Sequence, residues 1–190
     1  VGHGLNVAPE FWLWKSRSAT GSWQAYFTAL GSSSNRLNLD STGAVSSSYP
    51  GSATNSIINL SDGPTAAWGG TNVIYAFAPV AGYSAFGSYT GNSSADGAFV
   101  YTGFRPAFIL LKRTDSGIRT WEIHDTARSP GNVSENNLIP NVSNAESSGS
   151  ARLDILSNGF KLRTTSNGIN NGNMIYAAFA ENPFQTARAR

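Results

Sequence analysis

Cysteine is absent from all 190 residues, so neither a disulfide framework nor a thiolate metal site holds this chain together. Charge is scarce as well: Asp, Glu, Lys and Arg make up 13% of the sequence, and the formal net charge is only +2. Despite a pI near 9.1, the basic residues are scattered apart from "TARAR" at 186–190. That tail reads as a solvated terminus. Counterion release on a nucleic acid needs several clustered cations, which this chain does not supply. Long apolar runs are also missing. "FWLW" and "FILL" fall far short of the roughly 20 residues that span a bilayer, so membrane insertion is not expected. No basic segment followed by an apolar stretch opens the chain, so no signal peptide is visible. Its first residue is Val1 and not Met, which reads as a processed product or a piece of something longer.

What the chain does contain is aromatic residues, 12% of the total, set among Gly, Ser, Asn, Thr and Ala. Short strands linked by tight turns need this mixture, because Gly and Asn accept positive φ at little cost. The period of the apolar residues is two. "ARLDILSNGFKLRT" (151–164) alternates on both sides of Asn158-Gly159 and reads as a two-residue hairpin. With those two residues as the turn, Ile155 faces Leu162 and Asp154 faces Arg163 on the wet side. Further strands are predicted near 9–16, 22–29, 35–40, 72–79 and 83–90, then near 97–103, 107–114, 119–125, 152–157, 160–165 and 173–181. "FWLW" and "FILL" are continuous apolar runs, so their strands should be covered on both faces. No segment reads as a capped amphipathic helix. The fold class expected is all-β, an antiparallel β-sandwich of jelly-roll, concanavalin-like type.

The chain also repeats itself. Pro9 meets Pro106 and Lys15 meets Lys112 at an offset of 97, Trp23 meets Trp121 at 98, and "LSDG" (60–63) meets "LSNG" (156–159) at 96. "VIYAFA" (73–78) meets "MIYAAFA" (174–180) in the same order. Ordered matches with small drift are the mark of a duplicated unit. The expectation is one sandwich spanning 1–190, built from repeats of about 1–90 and 91–190; two small packed sandwiches are the alternative. In the first-half hairpin, Asp62-Gly63 is the expected turn, and Pro64 after it suits an edge strand. The Ser- and Asn-rich stretches 31–56 and 129–150 are expected to be long loops, where recognition tends to be placed.

Catalytic signals are weak. The two histidines are His3 and His124, the latter beside Asp125 in "WEIHDTAR"; no G-x-S-x-G elbow occurs, and "GSYTG" (87–91) lacks its central serine. The eleven carboxylates are dispersed and several sit in Asp-Gly turns, with no spaced pair that marks a glycosidase. No EF-hand loop, zinc spacing or P-loop is present, so neither cofactor nor metal is expected. The N-x-S triplets at Asn59, Asn92, Asn132 and Asn141 are what so much Asn and Ser gives by composition. Trp23 and Trp121 read as core; Trp68, in "AAWGGTN", has no counterpart and is a natural platform for a sugar ring. "FGSYTGNSSADGAFVYTGF" (86–104) reads as a hairpin with an Asn/Ser/Asp/Gly tip. The candidate binding surface joins Trp68 and Tyr83 to that tip through Tyr89, Asn92 and Asp96.

"YTGFRPAFILLKRTDS", "WEIHDTAR", "LSNGFKLRT" and "IYAAFAENPF", with "VGHGL" and "AFGSYTGNSSADG" upstream, give a string spanning essentially the whole chain. It resembles a repeat domain of tail-fibre and other virion structural proteins of tailed bacteriophages, of the marine type. The chain departs from that pattern at "FWLW", where aliphatic residues are more usual, and at "AFAPVAGY", where a cysteine is common. The resemblance implies a virion protein assembled in the bacterial cytoplasm and exposed on the particle, with other virion proteins as partners and homo-oligomerisation, a trimer being one arrangement. It implies no catalytic residue, so an enzyme is not expected. The leading expectation is a fibre or appendage module that binds a bacterial surface glycan. The runner-up is a capsid decoration or fibre-shaft domain without ligand, and a polysaccharide depolymerase is a distant third.

Overall fold

A computed structural model describes residues 1–47, 51–60 and 70–180. Its fourteen strands, all paired antiparallel, build four sheets; no α-helix occurs among the described residues. The first large sheet runs β4 (Ser46–Ser47), β3 (Asn35–Asn38), β2 (Gln24–Phe27), β1 (Phe11–Ser16), β7 (Asn72–Phe77). The second runs β11 (Trp121–Asp125), β10 (Pro106–Arg113), β14 (Asn171–Ala180), β8 (Ser84–Asn92). A three-stranded sheet, β12 (Leu153–Leu156), β13 (Gly159–Leu162), β9 (Phe99–Tyr101), and a hairpin of β5 (Gly51–Ala53) and β6 (Ile58–Leu60) complete the set.

Side-chain alternation along these strands dictates how the sheets stack. Phe11, Ala25, Phe27 and Leu37 of the first large sheet meet Phe86, Leu110, Trp121, Ile175 and Ala177 of the second, forming the sandwich core. The intervening residues face outward from it. Trp12 and Tyr26 pack against Ile58 under the β5-β6 hairpin. Ile109, Leu111, Met174 and Tyr176 pack against Leu153, Ile155, Phe160 and Leu162 of the three-stranded sheet. The strands of "FWLW" and "FILL" are therefore covered on both faces, as their unbroken apolar runs require. Trp121, fully buried, ties the large sheets together by donating its indole N–H to the Asn38 carbonyl at 2.9 Å.

The order β2-β1-β7 in the first half and β11-β10-β14 in the second is the same, with Phe11 opposite both Phe27 and Phe77, and Phe108 opposite both Asp125 and Phe179. A lysine does the same local work in each. Lys15 Nζ donates to the Gly21 carbonyl in the loop before Trp23, and Lys112 Nζ to the Arg119 carbonyl, at 2.5 Å, in the loop before Trp121. Lys112 also reaches the Thr42 carbonyl at 3.0 Å and is fully buried; burial first, then the charge of Arg119, pulls its pKa down to about 8.

Every strand predicted from alternation is present within a few residues of its expected span. Four other expectations are corrected. The stretch 31–56 is no simple loop, since it carries β3, β4 and β5. The hairpin turn is Ser157-Asn158: Leu156 faces Gly159, Ile155 faces Phe160, and Asp154 faces Lys161. Gly159 serves a different purpose, because a Cβ there would lie 2.1 Å from the Val100 carbonyl oxygen of the neighbouring strand. Asp154 is buried, and Arg163 reaches it diagonally, Nε to Oδ2 at 2.6 Å. Trp23 is half-buried, leaning on Tyr75 and not in the core. The expected turn at Asp62-Gly63 and Pro64 lies outside the described residues.

Candidate functional site

The predicted surface does not assemble as one. Tyr83 precedes β8 and Asn92 ends it; nine residues of strand separate them by about 30 Å. Tyr83 stands at the lip of a cleft of about 530 Å³ between the two large sheets, edge-on to Phe179 with ring centres 6.2 Å apart. Tyr89 is half-buried and turned inward: its ring packs edge-on to Phe160, and its hydroxyl donates to the Ile169 carbonyl at 2.6 Å. Burial raises its pKa well above the usual tyrosine value, as does the charge of Glu122. Trp68 lies outside the described residues. Asn92 and Asp96 do come together, at the tip between β8 and β9.

That tip is held from beneath by Asn170, which is fully buried. Its amide Nδ2 donates to the carbonyls of Ser94 and Thr164, both at 2.7 Å, and its Oδ1 accepts the Asn92 N–H at 3.2 Å. The Ser93 N–H adds a bond to the Asn170 carbonyl at 2.6 Å. Two glycines permit this approach. A Cβ on Gly91 would meet the Asn170 carbonyl carbon at 2.2 Å, and one on Gly97 would meet Leu162 Cβ at 2.7 Å. Within the tip, Asn92 closes a local turn by accepting the Ser94 N–H and donating to the Asp96 carbonyl.

From this base Asp96 extends its carboxylate into solvent and meets Lys161 Nζ at 2.6 Å, with Arg163 Nη1 at 3.9 Å. The hydrogen bond and charge of Lys161 hold the Asp96 carboxyl below its ordinary pKa. Lys161 stands opposite Phe99 in the register of the three-stranded sheet, and Gly159 stands opposite Tyr101. Val100 points into the core, so its neighbours point out: Phe99 is 47% and Tyr101 66% exposed. Phe99 leans over the bare backbone of Gly159, an aromatic ring covering a glycine on the adjacent strand. The outcome is a face with two exposed aromatic rings, one of them covering a glycine, and one carboxylate–ammonium pair at its rim.

Chemically, such a face suits a sugar, whose apolar C–H side stacks on a ring while its hydroxyls bond to a paired carboxylate and ammonium. Sequence reasoning reached the tip through Asn92 and Asp96 but missed Phe99, Tyr101 and Lys161. The alternation of "FVY" carried the signal, since it places Phe99 and Tyr101 on one side and Val100 on the other.

The other candidates are accounted for structurally. His124 is fully buried with Nε2 3.3 Å from Glu122 Oε2, while Asp125 accepts the Arg128 N–H at 2.8 Å. Neither ring nitrogen of His124 bonds a serine hydroxyl among the described residues. Asn132 brackets Ile155 with bonds of 2.9 and 3.0 Å, and Asn141 accepts the Trp121 N–H at 2.9 Å. Among the described residues no group of three or more His, Asp or Glu is placed to hold a metal, and no helix is long and apolar enough to cross a membrane.

No curated protein and no solved structure matches the chain. A family model described as "Domain of unknown function (DUF7483)" matches residues 1–183, and the chain belongs to that family.

Proposed function

We propose that this chain is a binding module of a bacteriophage particle, part of a tail fibre or similar appendage, that reads a bacterial surface glycan through the outer face of the three-stranded sheet. The observation that carries the reading is the exposed pair Phe99 and Tyr101 beside the Asp96–Lys161 pair, on a tip clamped by Asn170. The virion setting rests on the resemblance of the sequence string to phage structural domains. Neighbouring virion proteins would be its partners, and oligomerisation would multiply weak sugar contacts into useful avidity. The same reading takes the chain as a duplicated β unit, supported by the shared order β2-β1-β7 and β11-β10-β14.

The test is binding of the chain, displayed multivalently on fluorescent beads, to a panel of bacteria before and after periodate oxidation of their surface sugars. Periodate-sensitive binding to some strains is expected. Absence of binding across the panel by folded, multivalent protein would favour the second reading, a shaft or decoration domain whose contacts are with other virion proteins. One feature favours that alternative: among the described residues β9 ends its sheet, and a sheet edge is a natural place for another chain to add.

A further inference from the structure

Tyr75 stands opposite Leu13 on the inner face of the first large sheet, where the second sheet leaves it uncovered. There Trp23 and Tyr75 stack loosely, ring centres 6.1 Å apart with 27° between their planes, so that each keeps one ring face free of the other. Both remain accessible, Tyr75 at 51%. With Leu13, Leu39, Asp40 and Pro140 they line a pocket of about 280 Å³. Asp40 is the single charged residue in this lining. One of its carboxylate oxygens accepts the Trp23 N–H at 3.3 Å, and no cation of the described residues pairs with it.

Two aromatic rings and a carboxylate attract a cation, the rings through the negative potential over their faces and the carboxylate by its charge. The rest of the lining decides which cation. A primary ammonium carries three N–H donors, and Leu13, Leu39 and Pro140 offer no side-chain acceptor, so at least part of its hydration would be lost without replacement. A trimethylammonium has no N–H to satisfy and presents methyl groups to those apolar walls. We propose that the Trp23–Tyr75–Asp40 pocket binds a quaternary ammonium group of the choline type. The site lies on a different sheet from the Phe99–Tyr101 face and stands independently of the glycan reading.

The test is NMR titration of the whole chain with choline, following the choline methyl signal and the Trp23 indole N–H. The parallel probe is the neutral isostere dimethylbutanol, in which carbon replaces the quaternary nitrogen. Saturable choline binding is expected, with an upfield ring-current shift of the methyl signal and binding of the isostere at least several-fold weaker. Asp40→Asn keeps an acceptor for the Trp23 N–H and should weaken choline about fivefold while leaving the isostere unchanged. Tyr75→Leu, at an exposed strand position, should weaken choline further. Sedimentation with phosphatidylcholine vesicles separates two sources of the same group: co-sedimentation lost on adding choline indicates a lipid headgroup, and choline binding without co-sedimentation indicates a soluble or polymer-borne one. Equal affinity for choline and its isostere, an unchanged affinity in Asp40→Asn, or no saturation with choline would overturn the proposal.

Discussion

Asn170 offers the sharpest test of how the candidate site is supported. Its side chain has almost no freedom: two donor hydrogens go to the Ser94 and Thr164 carbonyls, and the oxygen takes the Asn92 N–H. Asn170→Ala deletes all three bonds; Asn170 itself is fully buried and its partners are half-buried or exposed. A buried group left unpaired costs about 1 to 3 kcal/mol. The carbonyls of the half-buried Thr164 and Ser94 lose their partner together and regain water only in part, while Asn92 at the exposed tip can turn to water. Two orphaned acceptors, offset in part by rearrangement, lead to a loss of about 3 kcal/mol in urea unfolding. Hydrogen exchange adds the local readout: the Asn92 and Ser93 amides should lose protection well beyond the global change. Asn170→Asp sharpens the test, because an ionised carboxylate would face two carbonyl oxygens, and the variant should regain stability as pH falls and the acid becomes able to donate. A loss below 1 kcal/mol in Asn170→Ala, with tip protection intact, would refute the claim that this one amide holds the tip.

Other consequences follow from the same geometry. Gly159→Ala drives a methyl into the Val100 carbonyl, so β9 must move off β13; a cost of about 2 to 4 kcal/mol and weaker glycan binding are expected together, measured by thermal melting and cell binding. Lys112 makes stability rise with pH. Its folded pKa, about 8, lies below the ordinary 10.5, so between these values the unfolded chain binds the extra proton; about 2 kcal/mol should be gained from pH 8 to 10 in urea melts, and a flat profile would count against the buried charge. Above pH 10 the sign turns, because burial raises Tyr26 to about 12 and the unfolded chain then ionises first. Asp96 should titrate below an ordinary aspartate in carbon-detected NMR and move back up in Lys161→Met, since the lowering comes from Lys161.

The strands were legible because each buries one or both faces, and burial leaves its period in the residues. Phe160 and Leu162 alternating with Lys161 is a local pattern that the fold obeys directly. What was not legible depends on neighbours distant in sequence. Asn158-Gly159 is a strong turn signal, yet Gly159 is needed inside β13 where Val100 passes, and the turn moves back by one residue. Trp23 and Trp121 match at an offset of 98 in the sequence. Trp121 becomes core because Phe27 and Asn38 of the other sheet cover it, whereas Trp23, beside Tyr75 in an open pocket with Leu39 and Pro140, stays half-exposed. The short strands β4, β5 and β6 are polar or only three residues long, too little for alternation to register.

The candidate site divides in the same way. Asn92 and Asp96 could be found as turn-forming polar residues at a hairpin tip, and the structure brings them together. Tyr89 and Tyr83 looked equivalent to them in sequence, but strand direction carries Tyr83 to the far end of β8 and the pleat turns Tyr89 inward. Phe99 and Tyr101 could be assigned to one face from the sequence; that this face is the open one follows only from the three-stranded sheet having its other side packed on β10 and β14.

The most direct test of the proposed glycan-reading face is the affinity of Tyr101→Ala for a bacterial strain that the wild-type chain binds in a periodate-sensitive manner. Tyr101 is 66% exposed, so the melting temperature should hold within a degree or two, while stacking on its ring contributes about 1 kcal/mol per site and multivalent binding should fall by at least tenfold. Wild-type affinity in a folded Tyr101→Ala chain would contradict the assignment of this face as the receptor-reading surface.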